Sequence, residues 1–380
     1  PGAGVNRLEQ NCRSRAPIPN VANAAIAKSS KRPYAKVLKP VREAGSPVRL
    51  CAFREPHDEA KFVAAEIRSL RRDGVDPGEI AVLYRSSTQV KMLEEELRVA
   101  GVPYRVFGGT KFFDRKEIKD GVAYLRVALN PRDELSLRRI VNTPSRGLGA
   151  QSLAHIAAHA KAHRMSLLRA LRNAADIDPL SARAKHSAAE LGDAIEFAGE
   201  GFRRGEYAST AESYLRSVGL LREDVDTTDS KRRLENVRYL LRSIDRLESR
   251  AGSDRDALQR LLHQLTLDSN DDDEPGPGAE VTLSSLHSAK GLEFSVVFLI
   301  GCVEGLLPHA RTTDPRITDA TVADLEEERR LFYVGVTRAR DHLYLTRYEE
   351  RVNRGRLSKV APSRFLEGLP DADTEPYQNT

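Results

Sequence analysis

At 380 residues, with 40% hydrophobic and 30% charged side chains, the sequence has the makeup of an ordinary globular protein with room for two or three domains. Its formal charge of +5 permits a polyanionic partner without requiring one. Cys12, Cys51 and Cys302 are scattered without CxxC spacing, which argues against a zinc site and for a reducing compartment, and with no membrane-length apolar run or secretory leader the expectation is a soluble cytoplasmic chain with no membrane partner.

Residues 1–40 offer only Val5 and Leu8 toward a strand, and a short Ala-rich helix is expected from Asn20, limited on its amino side by Pro17 and Pro19. Residues 48–107 then alternate. VRLCAF reads as a strand, and EPHDEAKFVAAEIRSLRRDG as a helix with Phe62, Val63, Ile67 and Leu70 at helical spacing and Gly74 as its stop. EIAVLYR reads as a buried strand, STQVKMLEEELRVAG as a helix ending at Gly101, and PYRVFGG as a third strand. This alternation predicts a parallel, doubly wound half-sheet.

From Gly108 the pattern turns helical. SLLRALRNAA and KRRLENVRYLLRSIDRLESR predict an all-helical insertion whose arginine-rich faces are solvated, except next to Gly147-Leu148-Gly149. NTPSRGLGAQSL (142–153) interrupts it with turn residues, and the acidic, Pro/Gly-rich DSNDDDEPGPGAE (268–280) reads as a linker back to the sheet. Val281-Thr282-Leu283 reads as a strand end, Ser284 to Glu293 as a polar loop turned by Gly291, and FSVVFLIGC as a central strand buried on both faces. The loop brings together His287, Lys290 and Glu293, and the expected place for it is the carboxyl edge of the sheet, where ligands bind. After a polar loop over 310–325, a helix with Arg329, Arg330, Leu331 and Tyr333 passes through Gly335 to the strand DHLYLTR, and PSRFLEGLP closes the fold ahead of a polar tail.

Three blocks carry a family resemblance. HSAKGLEF followed by VVFLIGCVEGLLPH resembles motif V of the UvrD/Rep/PcrA superfamily 1 DNA helicases, EEERRLFYVGVTRAR resembles motif VI, and LEQNCRS resembles motif IV, usually LEQNYRS. GGTKFFDRKEIKD is similar to the opening of the family's helical insertion, 2B, and the likeness covers essentially the whole chain, weakest in 155–270. The resemblance implies an α/β fold. A RecA-like parallel-sheet domain, 2A, would occupy 1–107 and 279–370, interrupted by the all-helical domain 2B at 108–278, with a polar tail at 371–380.

It also implies ATP and Mg²⁺ as cofactors, with the Mg²⁺ ligands on a separate 1A half. Arg13 and Arg338 would be the catalytic arginines that reach the γ-phosphate, a task for a side chain that is always charged and forks onto phosphate oxygens. Glu293 would bond the ribose. Cys12 replaces the family's adenine-stacking Tyr, a loss of roughly 1–3 kcal/mol by analogy with base stacking. Arg85, Ser285 and His287 would meet single-stranded DNA, while Ser87 and Lys91 stand where the family carries Asn and Arg. Thr143 and Gly147-Leu148-Gly149 resemble the family's GIG helix-hairpin-helix turn, whose backbone N–H groups contact duplex phosphates and where a side chain would block close approach. Lys290 and Gly291, between the two sets, would couple them.

No G-x-x-x-x-G-K-[ST] occurs, no acidic Walker B motif ends a strand in the first half, and no Q-motif is present. The expectation is the C-terminal portion of an ATP-dependent 3′–5′ DNA helicase of repair or replication, inactive alone. Its partners would be single-stranded and duplex-junction DNA, a 1A/1B half (fused or separate) and other repair proteins. A non-catalytic DNA- or protein-binding module is the second reading. Intact Arg13, Lys290, Glu293 and Arg338 favour the first, since a binding module has no physical need of them.

Overall fold

A strand apolar on both faces needs helices above and below it and a hydrogen-bonded neighbour on each side. The computed structural model describes residues 9–29, 37–223, 226–252, 254–266, 280–313, 322–353 and 356–377. In chain order, β1 (Gln10–Asn11) and β2 (Lys39–Pro40) pair in parallel on either side of α1 (Pro17–Ala27). Then come β3 (Val48–Phe53), α2 (Pro56–Arg72), β4 (Ile80–Tyr84), α3 (Ser87–Val99) and β5 (Tyr104–Phe107). A helical stretch follows: α4 (Lys116–Leu129), α5 (Glu134–Ile140), α6 (Ala150–Ala162), α7 (Leu167–Arg172), α8 (Ala182–Arg203), α9 (Tyr207–Ser217), α10 (Thr228–Ala251) and α11 (Arg255–Thr266). The chain returns through β6 (Val281–Ser285), β7 (Phe294–Leu299), α12 (Ala310–Thr313), α13 (Val322–Val336) and β8 (Ala339–Tyr348). An antiparallel hairpin, β9 (Glu350–Asn353) with β10 (Arg356–Lys359), and β11 (Thr374–Tyr377) complete it.

Two compact units result, one from the described residues of Pro1–Lys111 and Ser269–Thr380, the other from those of Phe112–Asp268. The first is built on a seven-stranded sheet in the order β11-β3-β8-β7-β4-β6-β5, parallel at every pairing. Its central strands alternate between two cores. Ile80, Val82 and Tyr84 of β4 and Val296 and Phe298 of β7 join Phe62, Val63 and Ile67 of α2 and Leu93 and Leu97 of α3. Ala81, Leu83, Val297 and Leu299 point the other way, onto Ile18, Val21 and Ala22 of α1 and Leu331, Phe332 and Val336 of α13. This is the RecA-like α/β architecture, with helices on both faces of a parallel sheet.

Four details depart from the sequence reading. The helix expected from Asn20 begins at Pro17, because proline in the first turn gives up an N–H that has no partner there, and because Ile18 and Val21 are needed in the core. The three strands of 48–107 form no half-sheet of their own: β3 lies between β11 and β8, β4 between β7 and β6, and β5 pairs with β6. The strand at 281 runs on through Ser285, paired to Tyr84. Residues read as a polar tail supply β11, in register with β3 from Thr374↔Val48 to Tyr377↔Cys51, where the Tyr377 ring packs 4.9 Å from that of Phe62. Val5, Leu8, most of the acidic linker and residues 314–321 of the polar loop lie outside the described residues.

The second unit is helical throughout its described residues. Its interior is mainly aliphatic and includes two edge-on aromatic pairs, Tyr124 with Tyr214 at 5.6 Å and Phe112 with Tyr239 at 5.1 Å. Toward the start of α10 the arginines pair locally, Arg232 and Arg233 with Asp229 and Arg238 with Glu235, whereas Arg246 lies over the Tyr239 ring. Among the described residues no helix is long and apolar enough to cross a membrane.

One acid is out of place in the sheet unit. Glu59 of α2 is fully enclosed, its Oε1 accepting from Gly301 N at 2.9 Å and Thr346 Oγ1 at 2.5 Å. Burial outweighs those two hydrogen bonds and pushes its carboxyl up to about 7. The folded state therefore holds a proton that the unfolded chain releases near the ordinary carboxylate value. Stability should be greatest below that value and fall as pH rises to about 7, by on the order of 3 kcal/mol. Glu59→Gln should flatten the decline between pH 5 and 8 in urea titrations, and a wild-type profile already flat there would show that Glu59 stays ionised.

Candidate functional site

β7 and β8 are parallel neighbours with Phe294 opposite Ala339, so the residues just before them, Glu293 and Arg338, lie side by side at the amino edge of the sheet. The backbone joins them there, Phe294 N donating to Arg338 O at 3.0 Å. Asn11 brings the third member. Its Oδ1 accepts from the N–H groups of Arg13 (3.0 Å) and Ser14 (2.8 Å), a tight turn that Ser14 Oγ fastens to Ala339 O at 2.7 Å. Arg13 Nε then meets Glu293 Oε2 at 2.6 Å, and Arg42 Nη1 supports the turn from behind by donating to Arg13 O at 2.7 Å.

Arg13, Glu293 and Arg338 therefore converge, though they are far apart in the chain. Arg338 is held by three acceptors: Val334 O from Nε at 3.1 Å, Leu292 O from Nη1 at 2.9 Å and Thr337 Oγ1 from Nη2 at 3.2 Å. Burial, then the nearby Arg13 charge, lowers its pKa from the ordinary arginine value. The Arg13–Glu293 pair differs in kind. Its side chains are 37% and 44% exposed, and such pairs contribute about 0–1 kcal/mol, so either partner is available to a stronger ligand. Cys12 is exposed beside this cluster.

The sequence reading missed Arg340 here. It donates to Ser295 Oγ at 2.6 Å and to Glu79, and its Nη1 stands 3.9 Å from Glu293 Oε1. A second arginine two positions after Arg338, on the strand paired to the one that follows Glu293, was the available signal.

The residues expected to meet single-stranded DNA lie at the opposite edge. Tyr84 is opposite Ser285 in the β4–β6 pairing, and Leu286 N donates to Tyr84 O at 2.9 Å, so Arg85, Ser285 and His287 gather at the carboxyl ends of these strands. Ser285 Oγ donates to Ser288 Oγ at 3.0 Å and accepts from Ser288 N at 3.2 Å. His287 and Lys290 are exposed and make no hydrogen bond or ion pair among the described residues. Ser87 is exposed in the first turn of α3, the helix that also carries Lys91.

The motif V segment is thus not a loop at one edge. β6 and β7 both run parallel to β4, one on each side of it, so the connection leaves the carboxyl edge at Ser285 and reaches the amino edge at Glu293. Gly291, at φ +94°, makes the turn on the way, and Leu286 and Ala289 are buried beneath α13. Gly335 lets that helix lie close, since a Cβ there would meet Leu286 Cδ2 at 2.7 Å.

Arg85 is already engaged. Its Nε is 3.0 Å from both carboxylate oxygens of Glu328 and its Nη2 is 2.6 Å from Oε1. Glu328 is buried on α13 and also accepts from His309 N at 3.0 Å. Losing one partner of such a buried pair costs about 3–5 kcal/mol, so Arg85 is anchored, whatever else it touches.

In the helical unit, Asn142 shapes the GLG turn: its Oδ1 accepts from Arg146 N at 2.8 Å and Leu148 N at 3.2 Å. Tyr124 Oη donates to Thr143 O at 2.5 Å, and Leu148 is buried. Gly147 has φ +76°, whereas Gly149 is extended at φ −69° as the residue before α6, with nothing within 4 Å of where its Cβ would stand. The chain itself demands glycine at 147 only. Among the described residues no group of three or more His, Cys, Asp or Glu could hold a metal ion.

With this geometry in place, comparison with known proteins is direct. A sequence model of the UvrD-like helicase C-terminal domain matches residues 6–350. The ATP-dependent DNA helicase PcrA of Bacillus subtilis is 37% identical over 392 residues, which cover 98% of this chain and 50% of that protein. The Staphylococcus aureus protein of the same name is 35% identical over 100% of the chain and 51% of its own length. The probable DNA helicase II homolog of Rickettsia felis is 34% identical over 98% and 56%. The chain spans about half the length of the curated relatives it matches.

The two glycines of the GLG turn should separate by experiment. Gly147→Ala, forced into the left-handed region, should lose about 1–2 kcal/mol in urea unfolding of the helical unit. Gly149→Ala should lose less, and equal losses would mean that the backbone at 147 relaxes.

Proposed function

The chain belongs to the family of UvrD-like helicase C-terminal domains, and from that premise we propose that it is the half of an ATP-dependent 3′–5′ DNA helicase, of repair or replication, that supplies the arginines and part of the DNA surface. The convergence of Arg13, Glu293 and Arg338 at one edge of the sheet carries this reading. When bound against the 1A half, which would hold Mg²⁺, ATP supplies the phosphoryl group whose hydrolysis drives movement.

The residues present suit a nucleotide phosphate. Arg338 uses three of its five N–H donors on the protein, so its guanidinium is fixed in direction while two donors stay available. Arg13 is held less firmly. A phosphate oxygen can replace Glu293 as its partner, and this frees the Glu293 carboxylate to accept from a ribose hydroxyl. One exchange then serves both ends of the nucleotide. Arginine donors aimed at developing phosphoryl charge accelerate nucleotide hydrolysis by about 10³–10⁵-fold in other enzymes.

At the other edge, Ser285 and the exposed His287 would meet the DNA strand, with Arg85 beside them. Lys290 and Gly291 lie on the segment that joins the edges and would take part in coupling them. In the helical unit, Thr143 and the backbone N–H groups around Gly147, Leu148 and Gly149 would take duplex phosphates.

The test is DNA-stimulated ATP hydrolysis by the chain alone and mixed with the amino-terminal half of the Bacillus subtilis relative. Activity is expected only in the mixture, with Arg338→Ala lowering it about 10³–10⁵-fold. Hydrolysis by the isolated chain, or a mixture indifferent to Arg338, would sink the proposal. In the same assay Cys12→Tyr should lower KM for ATP about tenfold by restoring a ring beneath the base.

A further inference from the structure

Arg85 has one edge committed and one edge without an acceptor among the described residues. Nε and Nη2 face Glu328, leaving Nη1 with no acceptor among the described residues, and the side chain as a whole is 20% exposed. Glu328 is itself fixed: its side chain is 4% exposed, it lies on a helix, and its Oε2 accepts from His309 N as well. On the other flank, Gln89 Oε1 accepts from the backbone N–H of Arg85 at 3.1 Å and of Ser86 at 3.0 Å, while its Nε2 donates to Ile300 O at 3.0 Å. Main chain and guanidinium of Arg85 are thus oriented separately, and neither partner takes a hydrogen bond from Nη1. A carboxylate that grips one edge of a planar guanidinium determines where the other edge points.

We propose that Glu328 is the positioning residue for Arg85, aiming its Nη1 edge at a phosphate of the DNA strand that crosses the carboxyl ends of β4 and β6. The inference rests on the DNA-edge reading above and adds to it the residue that makes the contact directional. It also ties the DNA edge to the nucleotide edge. α13 carries Glu328 near its middle, and Thr337-Arg338 follow its last turn, so the carboxylate holding the DNA-facing arginine and the arginine facing ATP stand on one continuous segment. A lysine could not replace Arg85, because its single terminal nitrogen cannot hold Glu328 along one edge and present a second edge outward.

The test is binding of labelled oligo-dT by the whole chain, read as fluorescence anisotropy across a salt series, with a thermal melt of each variant. Arg85→Ala, Arg85→Lys and Glu328→Gln should each weaken binding about tenfold and reduce the slope of log K against log salt by about 0.7, the value for one single-strand phosphate. The double variant Arg85→Ala/Glu328→Gln should bind no worse than Arg85→Ala alone, because both remove the same contact. Glu328→Gln with a lower melting temperature but the wild-type salt slope would mean that Glu328 only stabilises, and would overturn the inference. If Glu328→Gln does not fold, Arg85→Lys decides, since it keeps the pair, and a wild-type slope in it overturns the inference equally. Binding that Arg85→Ala leaves unchanged overturns the inference while DNA binding as such stands. No binding by the wild-type chain overturns the DNA-edge reading and the inference with it.

Discussion

β6 and β7 flank β4 on its two sides and both run parallel to it, so residues 286–293 have to travel from one edge of the sheet to the other. A hairpin loop could not do this. The traverse begins beside Arg85 and ends at Glu293, and along it Leu286 lies under the close approach of α13 at Gly335 while Ala289 is buried in the same core. A helix and a loop that share one packed surface cannot shift independently, because a close-packed interior transmits displacement instead of absorbing it. Both ends of that layer carry candidate ligand-facing residues, Ser285 and His287 at one and Glu293 and Arg338 at the other. The distance between the sites is spanned by the fold's obligatory crossing, and no separate relay has to be supposed.

Two ion pairs in this unit look alike as contacts and differ in what they permit. Arg13–Glu293 is close to half exposed on each side, so water competes for both charges and exchange with a ligand costs little. Arg85–Glu328 is enclosed on the acid side and made through three short contacts, so opening it would strand a carboxylate in the interior. Exchange suits a nucleotide that must come and go within each cycle. A fixed pair suits a contact whose direction must persist while a strand is passed along. Burial, more than distance, separates the two proposed roles.

The elements were largely legible because periodicity is a local property: VRLCAF, EIAVLYR and FSVVFLIGC are strands wherever they pair. Their order in the sheet was not legible, since the neighbours of β3 and β4 stand some two hundred residues or more away and nothing local specifies them. The site followed the same division. Arg13, Glu293 and Arg338 could be named from motif resemblance, but not the exchangeable pair within them. The partner of Arg85 was hidden for a simpler reason. Glu326, Glu327 and Glu328 are consecutive, and only the rotation of α13 decides which one faces β4: Glu327 is exposed and pairs with Arg330, Glu326 is buried with Ser29 bonded to it, and Glu328 takes Arg85. Asn142, which shapes the GLG turn, was adjacent to the recognised residues and still invisible, because its role lies in two backbone N–H groups that only the folded turn brings within reach.

The interleaved strand order also bears on how such a chain can be made. Among the described residues, β3, β4 and β5 have no hydrogen-bonded strand neighbour among themselves, and their partners all come from beyond residue 280. During synthesis these strands must therefore wait, unpaired at both sides, while the whole helical unit emerges. The described residues of that unit form a compact cluster of their own, drawn from one continuous stretch of chain, Phe112–Asp268. The sheet is completed by interdigitation: β6 enters between β4 and β5, β7 and β8 enter between β4 and β3, and β11 adds at the edge beside β3. A break in the chain within the helical unit would leave two sets of strands with open edges, each a template for the other and for any stray strand nearby. In the order of synthesis the insertion therefore stands between the strands that lack partners and the strands that supply them.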